Sequence, residues 1–307
     1  MLICVSFTLS SFINIIAQKY FLRNNYIDKI NNRSSHSSVA TRSGGFSIFL
    51  TLFLISVYFY LIGIEIYEFS LLVPLSLIMI IGLYDDINGV DFKLKFIFQI
   101  IAAKIIIDNG LVIDNLHGIL GIYELNRIIA QMITIFFIVA IINSINFIDG
   151  IDGLAISIII LFLSLFEIFS ATQSDFFYFS IITISSLVPL YYFNFSKKKK
   201  VFLGDSGSLF LGTLVSVYVI YILSNNYLIK PKFDLHKILF VISILFYPII
   251  DIVRVFFLRL SKGKSPFIAD KNHIHHLIIN KIQSHWKSTL LIILISFLFL
   301  IFIQLIF

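Results

Sequence analysis

The chain has 307 residues, of which 59% are hydrophobic and 13% charged, with a formal net charge of +6 and a mean hydropathy of +0.98. Those values exclude a pair of soluble domains, which would carry about 25% charged residues, and indicate a polytopic membrane protein, because a bilayer solvates apolar surface that one water-facing fold would leave exposed. A single cysteine, Cys4, excludes an internal disulfide and any cysteine-based metal site, and the positive charge forms no basic helix or aromatic-basic platform of the kind that binds nucleic acid.

The first apolar run, Leu2 to Ile16, lacks a positive leading region and a small-residue cleavage site, so it reads as a retained span. Lys19 and Arg23 follow it, which puts the N-terminus outside. Ten apolar segments meet the length needed to span a bilayer: 2–21, 45–63, 69–84, 94–108, 128–145, 153–171, 176–194, 207–224, 236–258 and 288–307. The expected fold is therefore all-α, with about ten transmembrane helices. There is no internal repeat and no Pro/Gly/Ser linker, so residues 1–307 read as one domain.

With the N-terminus outside, the connections after alternate spans face the cytoplasm. They hold Arg23, Lys29, Arg33 and Arg42, then Lys93 and Lys95, then Lys197 to Lys200, then Arg259, Lys262, Lys264, Lys271, Lys281 and Lys287. The opposite side holds mainly Arg127, Lys230, Lys232 and Lys237, so the bias of positive charge supports the same orientation. Every unusual polar cluster then falls on the cytoplasmic face, which predicts one site assembled between helices.

His36 and Arg42 precede Gly44-Gly45 in a loop suited to a close-packed or anionic partner. Asp85 and Asp86 end the third segment in GLYDDING. Adjacent carboxylates can bridge a hard cation, or divide so that one takes a proton; a solvated turn at Asn88-Gly89 is the plain alternative. Lys93 and Lys95 follow closely and suit phosphate neutralisation.

NSINFIDGIDG places Asn143, Asn146, Asp149 and Asp152 at a spacing of three. That spacing forms one stripe if the turn tightens toward 3₁₀ geometry, and its oxygen donors suit Mg²⁺. Helix capping would explain one such residue but not four. Lys197 to Lys200 mark the cytoplasmic side and suit anionic headgroups. FLGDSGS, residues 202–208, opens the eighth segment directly after them, and a helix N-terminus with small residues admits an anion. No GxxxxGK[ST] is present, so ATP hydrolysis by a P-loop is not indicated. Asp251 and Arg254, three apart in the ninth segment, read as an intramembrane pair. His273, His275 and His276 lie in a basic loop, without the HExxH spacing of a metalloprotease. Together these groups describe a divalent metal held against phosphates, with a lipid as one substrate.

HSSVATRSGG, GLYDDINGV with KLKFIFQ, NSINFIDGIDGLA, VFLGDSGSLFLG and DKNHIHH, in that order from residue 36 to 276, resemble the polyprenyl-phosphate N-acetylhexosamine-1-phosphate transferase family. HIHH, in place of an uninterrupted HHH, points to its WecA-like branch. The first loop departs from many members in lacking a proline before Arg42. The resemblance implies transfer of a HexNAc 1-phosphate from a UDP-N-acetylhexosamine to undecaprenyl phosphate, with release of UMP, at the cytoplasmic face of a bacterial inner membrane. It implies Mg²⁺, with Mn²⁺ as the alternative, held by Asp205 and Asn146, and a lipid-phosphate-deprotonating pair in Asp85 and Asp86. It also implies nucleotide- and metal-supporting roles for Asp149 and Asp152, uracil stacking on Phe202, and pyrophosphate and sugar contacts from Lys95, His273, His275 and His276. A homodimer is left open. The alternatives are the phospho-MurNAc-pentapeptide transferase of peptidoglycan synthesis and, from another class, a proton-coupled transporter, which would need mid-span carboxylates and matching halves.

Overall fold

All ten predicted apolar segments are helical, and the departures from expectation lie in how they end and bend. The structure is a computed structural model that describes residues 1–28, 39–64, 66–196, 198–224, 227–233, 235–263 and 272–306. His36 lies outside the described residues. In chain order the helices are α1 (Leu2–Arg23), α2 (Gly44–Leu61), α3 (Leu72–Asn88), α4 (Phe92–Asp108), α5 (Arg127–Ile148), α6 (Leu154–Phe169), α7 (Phe177–Phe195), α8 (Gly204–Leu223), α9 (Lys237–Ile244), α10 (Phe246–Ser261), α11 (Ile274–Ile282) and α12 (His285–Ile306). Among the described residues, three two-residue strands, β1 (Ile27–Asp28), β2 (Ala40–Thr41) and β3 (Lys200–Val201), add to the all-α expectation.

Among the described residues, seven helices are long and apolar enough to cross a membrane: α1, α2, α3 with the turn before it, α5, α7, α8 and α12. The chain is thus a multi-pass membrane protein. The expected count of ten is reduced for identifiable reasons. α6 is apolar but has only 16 residues, and the 17-residue α4 carries Lys93, Lys95 and Lys104. The ninth segment is not one span. It breaks at Leu245 into α9 and α10, which are bent by 86°, and counts as an eighth crossing only if the pair is taken together. Pro248 supplies the cause, since its ring would clash with the carbonyl four residues back, at Ile244, if the helix ran on.

α8 is the axis of the bundle. Every residue from Ser206 to Leu223 is buried, as expected of a helix that is apolar all round. Several of its hydroxyls bond within the helix: Thr213 Oγ1 donates to the Leu209 carbonyl at 2.9 Å and Ser208 Oγ to the Gly204 carbonyl at 2.9 Å. Small residues let neighbouring backbones come close, the usual solution for helices packed in lipid. A Cβ on Gly82 of α3 would lie 2.6 Å from Ser206 Cα, and Gly45 of α2 faces the Gly207 backbone directly.

The strands form one small sheet, with β1 antiparallel to β2 and β2 parallel to β3. Phe202 N–H donates to the Thr41 carbonyl at 2.8 Å, and Gly44 N–H returns to the Phe202 carbonyl at 3.0 Å. The sheet therefore ties the segment entering α2 to the segment entering α8, and sets Arg42 beside Phe202 and Gly204.

Candidate active site at one end of the bundle

The first backbone N–H groups of any α-helix lack partners within it. For α8 the partner comes from another helix: Asp86 accepts the Asp205 and Ser206 N–H groups, one on each carboxylate oxygen, at 2.9 Å each. The Asp86 side chain is fully buried. Gly204 makes this approach possible, with φ +76 and a position where a Cβ would sit 2.6 Å from Asp86 Oδ2. Arg42 completes the corner, 3.7 Å from Asp86 and 2.6 Å from Asp28. Burial works against the Arg42 charge, but Asp28, Asp86 and Asp205 more than offset it and hold its pKa above the usual value.

Asp205, in the first turn of α8, gathers contacts from two other helices. Lys95 Nζ of α4 lies 2.7 Å from Asp205 Oδ2 and 2.7 Å from Asp85 Oδ2 of α3. Asn146 of α5 donates from Nδ2 to Asp205 Oδ1 at 3.0 Å and to Ser208 Oγ at 2.8 Å. Asp85 also accepts the Val90 N–H at 2.6 Å. One lysine thus binds two of the predicted carboxylates, and a third caps the helix that carries Asp205.

The predicted ladder from Asn143 to Asp152 does not form one stripe, because α5 ends at Ile148 and α6 begins at Leu154. Asn143 turns away to Gln99 at 2.7 Å, and Asn146 reaches Asp205. Asp149 and Asp152 lie in the connection between the helices. Desolvation pushes the Asp149 carboxyl well above the usual range, and repulsion from Asp205, Asp86 and Asp152 adds to it. Asp152 is bound by Lys200 at 2.6 Å, and its N–H donates to His285 Nδ1 at 3.1 Å.

These groups open on a cavity of about 680 Å³ whose lining includes Arg42, Asn146, Asp149, Asp152, Phe202 and Asp205. Lys200, expected to meet headgroups, instead points inward, with Nζ 5.3 Å from the Phe202 ring centre. That leaves an aromatic plane beside a cation and a carboxylate, a setting for a flat heterocycle. Carboxylates and a lysine occupy the adjoining region, which suits phosphates.

The histidines divide. His276 lines the cavity, whereas His273 and His275 are buried behind it. His273 Nδ1 lies 2.7 Å from Asp251 Oδ2, and the Ile274 N–H donates to Asp251 Oδ1 at 2.8 Å. Arg254, the expected partner of Asp251, is farther off at 3.5 Å. His275 Nδ1 meets Tyr247 Oη at 3.0 Å, and its Nε2 faces Gly150 with no hydrogen-bond partner among the described residues. Burial, with His276 beside it, pulls the His275 pKa down to about 3, so the ring is neutral.

For a divalent cation the donors are hard oxygens, and the mutual repulsion around Asp149 is the kind a cation relieves. Among the described residues no three His, Cys, Asp or Glu side chains cluster as a complete cage. Asn146 presents nitrogen, not oxygen, to Asp205.

Several lining residues gave no signal in the sequence. Asp28, Asn194, Asn280, Gln283 and His285 all border the cavity, each as an isolated polar residue. Asn194 does so from the end of α7, where it accepts the Gly153 N–H at 2.6 Å and donates to the Val201 carbonyl at 2.9 Å, locking the α5–α6 connection to β3.

A family model described as glycosyl transferase family 4 matches residues 68–223, the stretch that carries Asp85 through Asp205. The chain is 33% identical over 296 residues to the undecaprenyl-phosphate alpha-N-acetylglucosaminyl 1-phosphate transferase of Pasteurella multocida, covering 92% of this chain and 78% of that protein. It is 32% identical over 285 residues to the protein of the same name from Haemophilus influenzae, covering 88% and 76%. The decaprenyl-phosphate N-acetylglucosaminephosphotransferase of Mycobacterium tuberculosis is 30% identical over 287 residues, covering 85% and 71%. With the matched stretch holding α3 through α8 and the polar groups that meet at their shared end, the chain belongs to glycosyl transferase family 4.

Proposed function

We propose that this protein transfers an N-acetylhexosamine 1-phosphate from a UDP-sugar to undecaprenyl phosphate at the cytoplasmic face of the bacterial inner membrane, releasing UMP. The observation that carries the reading is the convergence of Asp205, Lys95, Asn146 and Asp149 beside Phe202, at one end of a membrane bundle. The relatives' names support an N-acetylglucosaminyl donor over a muramoyl-peptide donor.

In this reaction an oxygen of the lipid phosphate attacks the β-phosphorus of the donor. The bond from that phosphorus to the bridging oxygen breaks, and UMP leaves. Phosphoryl transfer asks a protein mainly for positioning and charge neutralisation. Phe202 stacks the uracil, with Lys200 and Asp152 at its edge. Lys95 and Arg42 neutralise phosphate oxygens. Asp205, with Asp149 nearby and Asn146 once its amide turns its oxygen toward Asp205, would hold Mg²⁺, which would supply further neutralisation of the pyrophosphate. A phosphate monoester has a second pKa near 6 and is largely dianionic at pH 7, so little is asked of a base. Of the pair expected to take that proton, Asp86 has both oxygens on α8 N–H groups and Asp85 has its two on the Val90 N–H and Lys95 Nζ, so either would give up a partner to accept it.

Membranes containing the protein are incubated with undecaprenyl phosphate and radiolabelled UDP-GlcNAc, with other UDP-N-acetylhexosamines in parallel. A Mg²⁺-dependent, chloroform-extractable product is expected. No lipid product from any donor would sink the reading.

A further inference from the structure

The connection from α5 to α6, residues 149–153, carries two carboxylates of the candidate site, Asp149 and Asp152, on chain outside any helix. It includes Gly150 and Gly153, and glycine is the residue that fixes a backbone least. The direction of each carboxylate therefore comes from what grips the connection, and its two ends are gripped separately. At the first, the Asp149 N–H bonds to the Asn146 carbonyl at 3.3 Å, so Asp149 follows the end of α5.

At the second end the grip comes from α12. The Asp152 N–H donates to His285 Nδ1 at 3.1 Å, and the Asp152 carbonyl accepts from Thr289 Oγ1 at 2.9 Å. His285 and Thr289 stand four residues apart on α12, which puts them on one face. They hold both backbone polar groups of a residue that is itself buried, and Thr289 is buried with it. His285 Nδ1 is also 3.3 Å from Asp152 Oδ2, so the imidazole touches the side chain as well. The Asp152 carboxylate then meets Lys200 at 2.6 Å, and Lys200 Nζ lies 5.3 Å from the Phe202 ring centre. A line of contact thus runs from α12 through Asp152 and Lys200 to Phe202. Neither His285 nor Thr289 belongs to the motifs above, and both lie beyond residues 68–223 matched by the family model.

Resting on the transferase reading above, we propose that His285 is a positioning residue for the nucleotide: with Thr289 it fixes Asp152, and through Asp152 the Lys200–Phe202 shelf that takes the uracil. A shelf whose parts are already in place binds more tightly than one that must be ordered on binding, because the lost freedom is charged against affinity. The groups assigned to the phosphates and the cation are held by other means, Asp85 and Asp205 by Lys95. The clamp from α12 therefore acts on nucleotide affinity and leaves the chemical step alone.

His285→Ala, His285→Asn and Thr289→Val test this. Alanine removes the grip, whereas an asparagine amide can still accept the Asp152 N–H or reach the carboxylate. Thr289→Val keeps the shape and deletes the hydroxyl, so it carries the comparison even where His285→Ala lowers the yield of folded protein. UMP binding to purified protein in detergent is measured by calorimetry, and KM for UDP-GlcNAc and for undecaprenyl phosphate from initial rates. His285→Ala should weaken UMP binding and raise the KM for UDP-GlcNAc roughly tenfold, and Thr289→Val about fivefold, with kcat and the KM for the lipid within about twofold. His285→Asn should recover most of the loss. In an Asp152→Ala background, His285→Ala should add no further loss, since the side chain it acts through is gone. Unaltered UMP affinity in His285→Ala and Thr289→Val, a loss shared equally by the lipid, equal losses in the alanine and asparagine variants, or full additivity with Asp152→Ala would overturn the positioning role. A parent protein that binds UMP but makes no lipid product from any donor would overturn the transferase reading instead.

Discussion

Asp205 touches a lysine from α4 and an amide from α5 while opening on the cavity, so its charge is shared by three helices. Asp205→Asn keeps the shape and removes the charge. Turnover should drop at least about a hundredfold, with elution from size exclusion unaltered; near-normal activity would remove Asp205 from the proposed metal site. His275 gives a different kind of prediction. Its folded pKa of about 3 lies below the unfolded value of about 6.5, so below pH 6.5 the unfolded chain binds a proton that the folded chain does not. Stability is therefore lost as pH falls, by about 2 kcal/mol between pH 6.5 and 5 from this group alone. His275→Asn should show a smaller fall in thermal midpoint over that interval than the parent, and an equal fall would argue against a buried neutral ring.

At the scale of elements, the contact between α3 and α8 rests on Gly82, where an added Cβ would meet Ser206 Cα at 2.6 Å and the Asp205 carbonyl at 2.8 Å. Both are backbone atoms and cannot swing aside. Gly82→Ala should cost about 1–3 kcal/mol, read as a lower thermal midpoint in detergent. It should also reduce activity, because the same displacement moves Asp85 and Asp86 relative to Asp205. An unchanged midpoint would show that α3 can back away freely. Much of this arrangement was legible in the sequence. Carboxylates, amides and glycines at the ends of apolar runs are costly enough to mark a site, and FLGDSGS and NFIDGIDG locate it. Other features were not legible, because they depend on which elements approach which. Nothing local distinguishes Asp86 as a cap for a helix 120 residues later from Asp85 beside it. The burial of His273 and His275, and the selection of His276 for the cavity, come from the docking of α11 on α10. The break at Leu245 did have a local cue in Pro248, which apolar length alone passes over.

For the whole molecule, the bundle has two ends, and every polar group of the candidate site lies at one of them. α7 separates exposed Gln173 from exposed Lys198, which sits beside β3 and the site. In a Cys4→Ser background, Gln173→Cys should react with a membrane-impermeant maleimide on intact cells, and Lys198→Cys only after the membrane is opened. The reverse pattern would turn the orientation over and remove the cytoplasmic site.

α8 also bears on how such a chain is made. It has no surface left for lipid, yet seven helices precede it in the sequence. During synthesis those helices leave the insertion machinery before their common neighbour exists. Their small-residue faces, Gly45 and Gly82 among them, stay exposed until α8 arrives to fill the gap. Assembly is therefore ordered, with α8 setting the earliest moment at which Asp205 can meet Asp86, Lys95 and Asn146, before the later helices complete the core and the far wall of the cavity.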